Sequence, residues 1–561
     1  MKMKYILLLL FVGTFFVYSL SDNPAPKGDT TPARLLPFAI LSGRGIYLDD
    51  FRFPLGSNPF WLQRFHDHYI SAYPMIVGVL VTPIYLPVYI YLLTTGQAYS
   101  VIMAQYSYGL EKFSASLLTS VSVTLFAVLV YWLTRNKKVT FLLSLVFAFA
   151  TPAFSINSRY LWQHGIAGMF LIAALLMFLR GSIHAKGRFG AYIVCLLFSV
   201  LAGWTRQIFF LFTGIMFAAI IWRDRRRFAW YGGIITAVVA LFFAYNKHFY
   251  GALLGTTTEP LASFSLSNLL PGLAGLLFSP ARGMLFYTPF FLIAYLVPLY
   301  WKRIREEPFH HQLAYAVLYM FFIAHTFTHA LFAVWWAGCS WGDRFFADTA
   351  PVAVLFAYIV YRFSRKICIK VLICILILYS CFIQIVGVFY YPRGQWDGYP
   401  VSYDLAPGRL WDIRDNPIIR NLAVGPDLQA IYAVQYWLLH IHPGAITDDA
   451  RVCTLAFDGW KQILGYRAAR ITLTNHSRAV WYTQGKNIVT LRQLWSHEED
   501  KYLVESPVPS MPLPPIIVPG QTVYVDVLMI PPSSAYDRVV VAPVQEGVSW
   551  WVDNCFIELQ P

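Results

Sequence analysis

The stretch YPMIVGVLVTPIYLPVYIYLL, residues Tyr73 to Leu93, decides how this chain is arranged. It is long and apolar enough to cross a bilayer, which takes about 17–25 residues. It also carries Pro74, Pro83 and Pro87, and prolines break or kink helices. Basic clusters punctuate the rest of the chain at Lys2/Lys4, Arg135/Lys137/Lys138, Arg180/Lys186/Arg188, Arg223 to Arg227, Lys302/Arg303/Arg305 and Arg362/Arg365/Lys366. If 73–93 crosses, every cluster after the first changes sides. If it does not, all of them share one side with the N-terminus. Short loops rich in Lys and Arg stay cytoplasmic, so the segment is expected to lie along the membrane or to re-enter it.

The other apolar runs fall at roughly 5–20, 113–134, 139–156, 165–180, 189–204, 207–222, 229–245, 285–301, 312–334, 345–361 and 367–390. Together they give about eleven transmembrane helices, with the N-terminus cytoplasmic and the C-terminus outside. Composition agrees. Of 561 residues, 57% are hydrophobic and 13% charged, and the mean hydropathy is +0.53. A soluble surface needs about 25% charge. Disorder, collagen, coiled coil and a disulfide-dense scaffold are excluded as well, the last because 7 Cys are too few. The net charge of +14 lies in the inter-span clusters, so it reports topology and not a nucleic-acid partner. MKMK followed by an apolar run also fits a cleaved signal peptide. No small-x-small site follows Leu20, and a retained anchor is expected.

The chain then divides into a transmembrane domain at 1–390, a linker or periplasmic segment at 391–468 and a small domain at 469–561. The first outer loop spans 21–112. From Ala469 on, ITLTNHS, AVWYT, NIVTLRQLW, TVYVDVLMI and RVVVAPVQ alternate and carry β-branched and aromatic residues, which predicts a β-sandwich-like fold outside the membrane. Cys453 and Cys555 bracket these strands and are candidates for a disulfide. Asn475-His476-Ser477 matches a glycosylation sequon.

Charges at a membrane edge are costly and mark candidate functional sites. The outer edge collects Asp29, Arg34, Asp49, Asp50, His66, Asp67, His68, Arg159, His164, Arg206, Lys247, His248, Arg282, His325, His329, Asp343, Arg344 and Asp348. Arg and His at headgroup level suit an anionic leaving group, and a carboxylate suits proton removal from a hydroxyl. Each has a plainer alternative. Asp29 in Asp-Thr-Thr-Pro is also a helix N-cap. Asp49-Asp50 is also a solvated turn, Arg344 beside Trp335, Trp336 and Trp341 an interfacial anchor, and Arg206 a buried ion-pair partner. His66-Asp67-His68 invites zinc, but neighbours at i and i+2 do not share a helix face.

At these residues the sequence resembles a family. One apolar span leads into GDTTPARLLPFAILSGRGIYLDDF (Gly28–Phe51), Tyr73-Pro74 opens a proline-rich segment, basic-punctuated span pairs follow, and an outer domain closes the chain. This is similar to the polytopic GT-C glycosyltransferases, nearest the group of protein O-mannosyltransferases and lipid A aminoarabinose transferases. The resemblance implies that an acid shortly after the first span, here Asp29, is the catalytic base. It also implies that 30–43 and 74–93 are surface helices. The family often has Asp-Glu where this chain has Asp29-Thr30. After the third span many members carry another acid, whereas SRYLWQHG offers Arg159 and His164. Val544-Gln545-Glu546-Gly547 leading to Trp550-Trp551 resembles small domains appended to envelope glycosyltransferases.

The expectation is an inverting glycosyltransferase using a polyprenyl-monophosphate sugar at the outer face of the cytoplasmic membrane. Asp29 is the base. Arg282, Arg344, His164 and Arg159 hold the donor phosphate, while Asp49, Asp50, Tyr73, Trp341 and His329 are candidates for substrate contact. Neither a metal nor a cofactor is expected, and partners are the lipid-linked donor, a glycan, lipid or protein acceptor, and membrane lipids. The rival readings are a ligase using a polyprenyl-diphosphate glycan, a lipid-linked sugar flippase, and a non-catalytic assembly factor.

Overall fold

The computed structural model describes residues 2–21, 28–51, 60–96, 98, 100–255, 263–391, 396–398, 401–425, 451–463, 466–479, 481–482, 489–496, 504–505, 513, 516–517, 519–529, 531, 536–545, 549–551 and 555–560. It divides into two compact units, one reaching Ile385 and the other beginning at Val386.

The first unit is helical. In chain order it contains α1 (Met3–Ser19), α2 (Thr31–Leu41), a hairpin of β1 (Leu62–Phe65) and β2 (His68–Ser71), α3 (Ile76–Thr94), α4 (Ser100–Thr134) and α5 (Lys137–Phe149). Then come α6 (Gln163–Ile183), α7 (Arg188–Thr205), α8 (Phe209–Arg223), α9 (Phe228–Tyr250), α10 (Leu269–Phe278), α11 (Met284–Tyr287), α12 (Trp301–Ile304), α13 (Phe309–Ala330), α14 (Ala350–Phe363) and α15 (Ile367–Phe389). Among the described residues, seven helical segments are long and apolar enough to cross a membrane: Ile76–Thr94, Tyr106–Thr134, Gln163–Ile183, Arg188–Thr205, Arg225–Tyr250, Phe309–Ala330 and Ile367–Phe389. Met3–Ser19, Phe209–Arg223, Leu266–Phe278 and Ala350–Phe363 are apolar but shorter.

Three expectations change in detail. Helix α3 runs unbroken through Pro83 and Pro87, because apolar surroundings offer the backbone no better partner than its own helix. The run 139–156 is split: α5 stops at Phe149, and after Thr151-Pro152 a single π turn covers Ala153–Asn157. Pro152 has no N–H to continue the ladder. The run 285–301 is a 3-10 helix over Pro289–Tyr300 between the short α11 and α12, with Pro289 and Pro298 inside it.

Helix α1 is pinned by Ile6 and Leu10, which pack on Ala127 of α4. The Tyr18 hydroxyl donates to the Ala148 carbonyl at 3.0 Å. Helices α2 and α3 lie close because Gly78 leaves room. A Cβ there would sit 2.9 Å from the Leu36 Cβ, and Phe38 and Tyr85 meet edge-to-face beside it.

In the second unit Trp396 stacks on Tyr403, and Arg409 covers Trp396 while pairing with Asp415 at 3.1 Å. A short helix, α16 (Pro417–Val424), follows. The expected linker is thus partly built structure. The β region begins at Cys453 and not at Ala469. Strand β3 (Cys453–Ile463) pairs with β4 (Tyr466–Asn475), and its alternation is hidden by a bulge between Phe457 and Gly459. Strand β9 (Thr522–Leu528) completes that sheet on β4. A second sheet pairs β10 (Arg538–Gln545) with β6 (Val489–Ser496), β11 (Ser549–Trp550) and β12 (Ile557–Leu559). Strand β5 (Trp481–Tyr482) pairs with β8 (Ile516–Ile517), and β7 (Val504–Glu505) with β6. Ile471, Leu473, Val525 and Val527 of one sheet share a core with Leu491, Trp495, Val539 and Val541 of the other. That is the expected sandwich. Asn475 of the sequon is buried, its amide donating to the Ala479 and Ile517 carbonyls, so it is a core residue. Glu546 and Gly547 lie outside the described residues.

Cys453 and Cys555 are bonded across a sequence separation of 102. Closing a loop of that length restricts the unfolded chain strongly. Replacing both by Ser is expected to lower the stability of the β domain by about 2–5 kcal/mol, measured as the shift of its tryptophan-fluorescence transition in the intact protein.

Candidate active site

One cavity of about 430 Å³ opens in the first unit, and its wall carries Asp29, Tyr73, Trp162, His164, Arg206 and Arg344. Phe60, Phe332, Val334 and Phe345 make its apolar side. A second hollow beside Tyr73 and Trp204 measures about 20 Å³, room for a water molecule.

Asp29 sits in a single 3-10 turn, Gly28–Thr30, directly before α2. The N-cap of α2 is Thr30, without a side-chain capping bond. The Asp29 carboxylate points elsewhere. Its Oδ1 accepts from the Tyr73 hydroxyl at 2.9 Å and its Oδ2 from Arg344 Nη1 at 3.3 Å. Beneath this turn lies a buried acid, Glu111 of α4. It accepts from the Leu161 N–H at 3.2 Å, hydrogen-bonds the Thr30 side chain, and faces Arg34 at 3.9 Å. Arg34 also donates to Ser107 and stacks on Tyr108. Glu111 therefore ties the turn holding Asp29 to the segment holding Trp162 and His164.

Arg344 comes from the loop after α13, and its guanidinium lies 4.3 Å from the Trp162 ring centre. The loop is clamped at several points. Gly342 has φ +59°, and a Cβ there would sit 2.4 Å from the Tyr287 ring. Arg282 is buried and donates to the Ala281 and Gly338 carbonyls at 3.0 and 3.3 Å. Thr288 donates a hydrogen bond to Asp343. Burial pushes the Asp343 carboxyl up to about 7, against the lowering effect of that hydroxyl.

Behind the cavity, Asp348 is fully buried. It meets His164 Nδ1 at 3.0 Å, His325 Nε2 at 3.1 Å and Arg206 Nε at 2.9 Å. His329 Nδ1 donates to the His325 carbonyl at 3.0 Å. Its Nε2 and that of His164 then accept from Arg206 Nη2 at 3.3 Å and Nη1 at 3.4 Å.

The structure therefore brings Asp29, Tyr73, His164 and Arg344 to one cavity and sends the other candidates elsewhere. Arg282 supports the loop and does not line the cavity. Arg159 is buried beside the Tyr160 ring, again off the wall. Trp341 is buried edge-to-face on Tyr287. His329 stands behind the wall, 4.1 Å from Phe345 between ring centres. Asp49 accepts from the Tyr69 N–H and meets His68, which fastens its loop to β2, while Asp50 pairs with Arg44 inside that loop. His164 spends its one N–H on Asp348 and offers the cavity no donor as a neutral imidazole. Arg206 is the buried ion-pair partner that the sequence suggested, while sequence reasoning left Asp348, His325, Trp162 and Glu111 without a role. The one available signal was an acid at a membrane edge, which implies a partner.

No family model matches the chain, and no curated protein matches it. Among solved structures it is similar to the cryo-EM structure of arabinosyltransferase EmbB from Mycobacterium smegmatis, at 12% identity and a TM-score of 0.32. The match covers 99% of this chain and 64% of that one, so the chain spans just under two thirds of that protein's length.

Gly342→Ala combines a strained φ with a ring clash and is expected to cost about 2–4 kcal/mol, read as a lower unfolding midpoint. Asp343 is protonated more readily folded than unfolded. Its contribution to stability is full below the ordinary carboxylate range and is lost as pH rises to about 7. Asp343→Asn should therefore match wild type near pH 4 and exceed it in unfolding midpoint by pH 8.

Proposed function

We propose that this protein is an inverting glycosyltransferase of the GT-C type. It moves a sugar from a polyprenyl-monophosphate donor to an envelope glycan, lipid or protein at the outer face of the cytoplasmic membrane. The observation that carries the proposal is the direct contact of Asp29 with Tyr73 and Arg344 in one cavity. A volume of about 430 Å³ lies in the range of small-molecule sites.

The chemistry follows from the residues. The acceptor oxygen attacks the anomeric carbon while the Asp29 carboxylate takes its proton. The bond from that carbon to the phosphate oxygen breaks, and the phosphate leaves with the electron pair. Arg344 is placed to hold it, and the Trp162 face fixes the guanidinium plane. Tyr73 orients Asp29 by donating to one oxygen, leaving the other to face Arg344 or a substrate hydroxyl.

The arrangement of α3 supports an outer-face site. At one end Tyr73 reaches Asp29. At the other, Thr94 is joined by residues 95–99 to the start of α4, whose Ser107 holds Arg34 of α2 and whose Glu111 supports the turn carrying Asp29. Both ends thus belong to the cavity end of the bundle, which fits a helix lying along the membrane. The basic clusters at 135–138, 180–188, 223–227, 302–305 and 362–366 lie at or beyond the opposite ends of the helices that deliver the cavity residues. That is the positive-inside arrangement.

The test uses purified protein in lipid nanodiscs with radiolabelled polyprenyl-phosphate sugars, a membrane extract as acceptor, and chelator present. Asp29→Asn should lower label transfer by about 10²–10⁴-fold, with folding unchanged. Tyr73→Phe should lower it by about 10- to 150-fold, the worth of one hydrogen bond to a charged group. Equal transfer by wild type and Asp29→Asn would move the base elsewhere. No transfer from any donor would remove the monophosphate-donor reading and leave the diphosphate ligase and the flippase.

A further inference from the structure

We propose that Arg206 is the resident cation of a histidine–carboxylate donor set that takes up a transition-metal ion when the guanidinium is removed. The phosphate half of the inference, drawn below, rests on the proposed donor site.

His325, His329 and Asp348 are all buried and each brings a ligand atom within 4.8 Å of the others. Zinc takes such N and O donors at about 2.0–2.2 Å in a tetrahedron, with neighbouring donors about 3.3 Å apart. The set spans up to 4.8 Å, so it would draw in around an ion, and a cation already stands beside two of its members. Arg206 Nε is 2.9 Å from Asp348, and its Nη2 is 3.3 Å from His329 Nε2. The histidines are set for this. Each of His164 and His329 spends its N–H on Asp348 or on a carbonyl, so each turns a lone pair toward the guanidinium. His325 gives its Nε2 hydrogen to Asp348, and its Nδ1 has no hydrogen-bond partner. The His329 lone pair and the Asp348 carboxylate thus converge on one positive group, and His325 can join them as a donor once its hydrogen moves from Nε2 to the unpartnered Nδ1, so arginine stands where a metal would be held by these three.

A guanidinium differs from a metal in its outer edge. It carries five N–H groups, the two imidazoles take one each, and the group also lines the cavity. Arg206 therefore keeps N–H groups to donate to a phosphate monoester there, although its charge is already matched by Asp348.

The experiment uses tag-free, full-length protein in nanodiscs, dialysed against Zn(II) and then buffer. Zinc per chain is measured by mass spectrometry, and unfolding midpoints are taken with and without zinc. Arg206→Ala should retain about one zinc per chain and gain midpoint with zinc. Wild type, Arg206→Lys and Arg206→Ala/Asp348→Asn should retain none. Stoichiometric zinc in wild type, or a folded Arg206→Ala without zinc, overturns the proposal. If Arg206→Ala folds only in zinc-supplemented medium, that supports it, and failure to recover with zinc counts against it. These readouts involve no sugar transfer, so they stand or fall apart from the proposed function.

For the phosphate half, farnesyl phosphate and inorganic phosphate are titrated against wild type and Arg206→Lys. A tenfold or greater loss for farnesyl phosphate alone assigns the charge to a lipid-linked phosphate. The same loss for both assigns it to phosphate in general, and no loss for either removes the phosphate role.

Discussion

The site depends on one buried carboxylate. Asp348 stands at the head of α14 and touches α6 through His164, the turn between α7 and α8 through Arg206, and α13 through His325. A carboxylate with no exposure is tolerable only if its charge is matched and its oxygens are hydrogen-bonded. Arg206 supplies the charge, and the two imidazoles supply donors. Helices that share only apolar faces can slide by a fraction of a turn at little cost. These cannot, because a shift would leave a charge unpaired away from water. The geometry of the cavity wall is thus set from behind, by groups that do not all touch its contents.

A second constraint works from below. Glu111 binds Thr30 on one side and the Leu161 N–H on the other. Asp29 and Trp162 descend from those two neighbours. The wall is therefore assembled from segments distant in sequence: the turn before α2, the link between β2 and α3, the start of α6, and the loop after α13. Each is stiffened by its own local chemistry, the last by Gly342 against Tyr287 and by Arg282 on the Gly338 carbonyl.

Much of the architecture was legible in the sequence, because hydropathy and basic clusters act over long windows that do not depend on packing detail. The alternating strands after Ala469 were equally plain. What stayed hidden was local or tertiary. Strand β3 concealed its period behind a bulge. Pro83 and Pro87 mark a break in water but not in an apolar setting. In the site, Asp29, Tyr73, His164 and Arg344 could be picked out as charged or aromatic groups at one membrane edge. Arg282 and Arg344 looked alike in sequence, and only the fold sends one to backbone carbonyls and the other to the cavity. Arg206 read as a buried ion-pair partner, but only the bundle shows that Asp348 is the acid it pairs with.

The two oxygens of Asp29 are both occupied, one by Tyr73 and the other by Arg344. On the proposed reaction this imposes an order of arrival. A phosphate entering the cavity competes for Arg344 and draws it off, which frees Oδ2 for a hydroxyl. The pairing then couples the arrival of a phosphate to the release of one carboxylate oxygen, so the base is freed where a donor is already held.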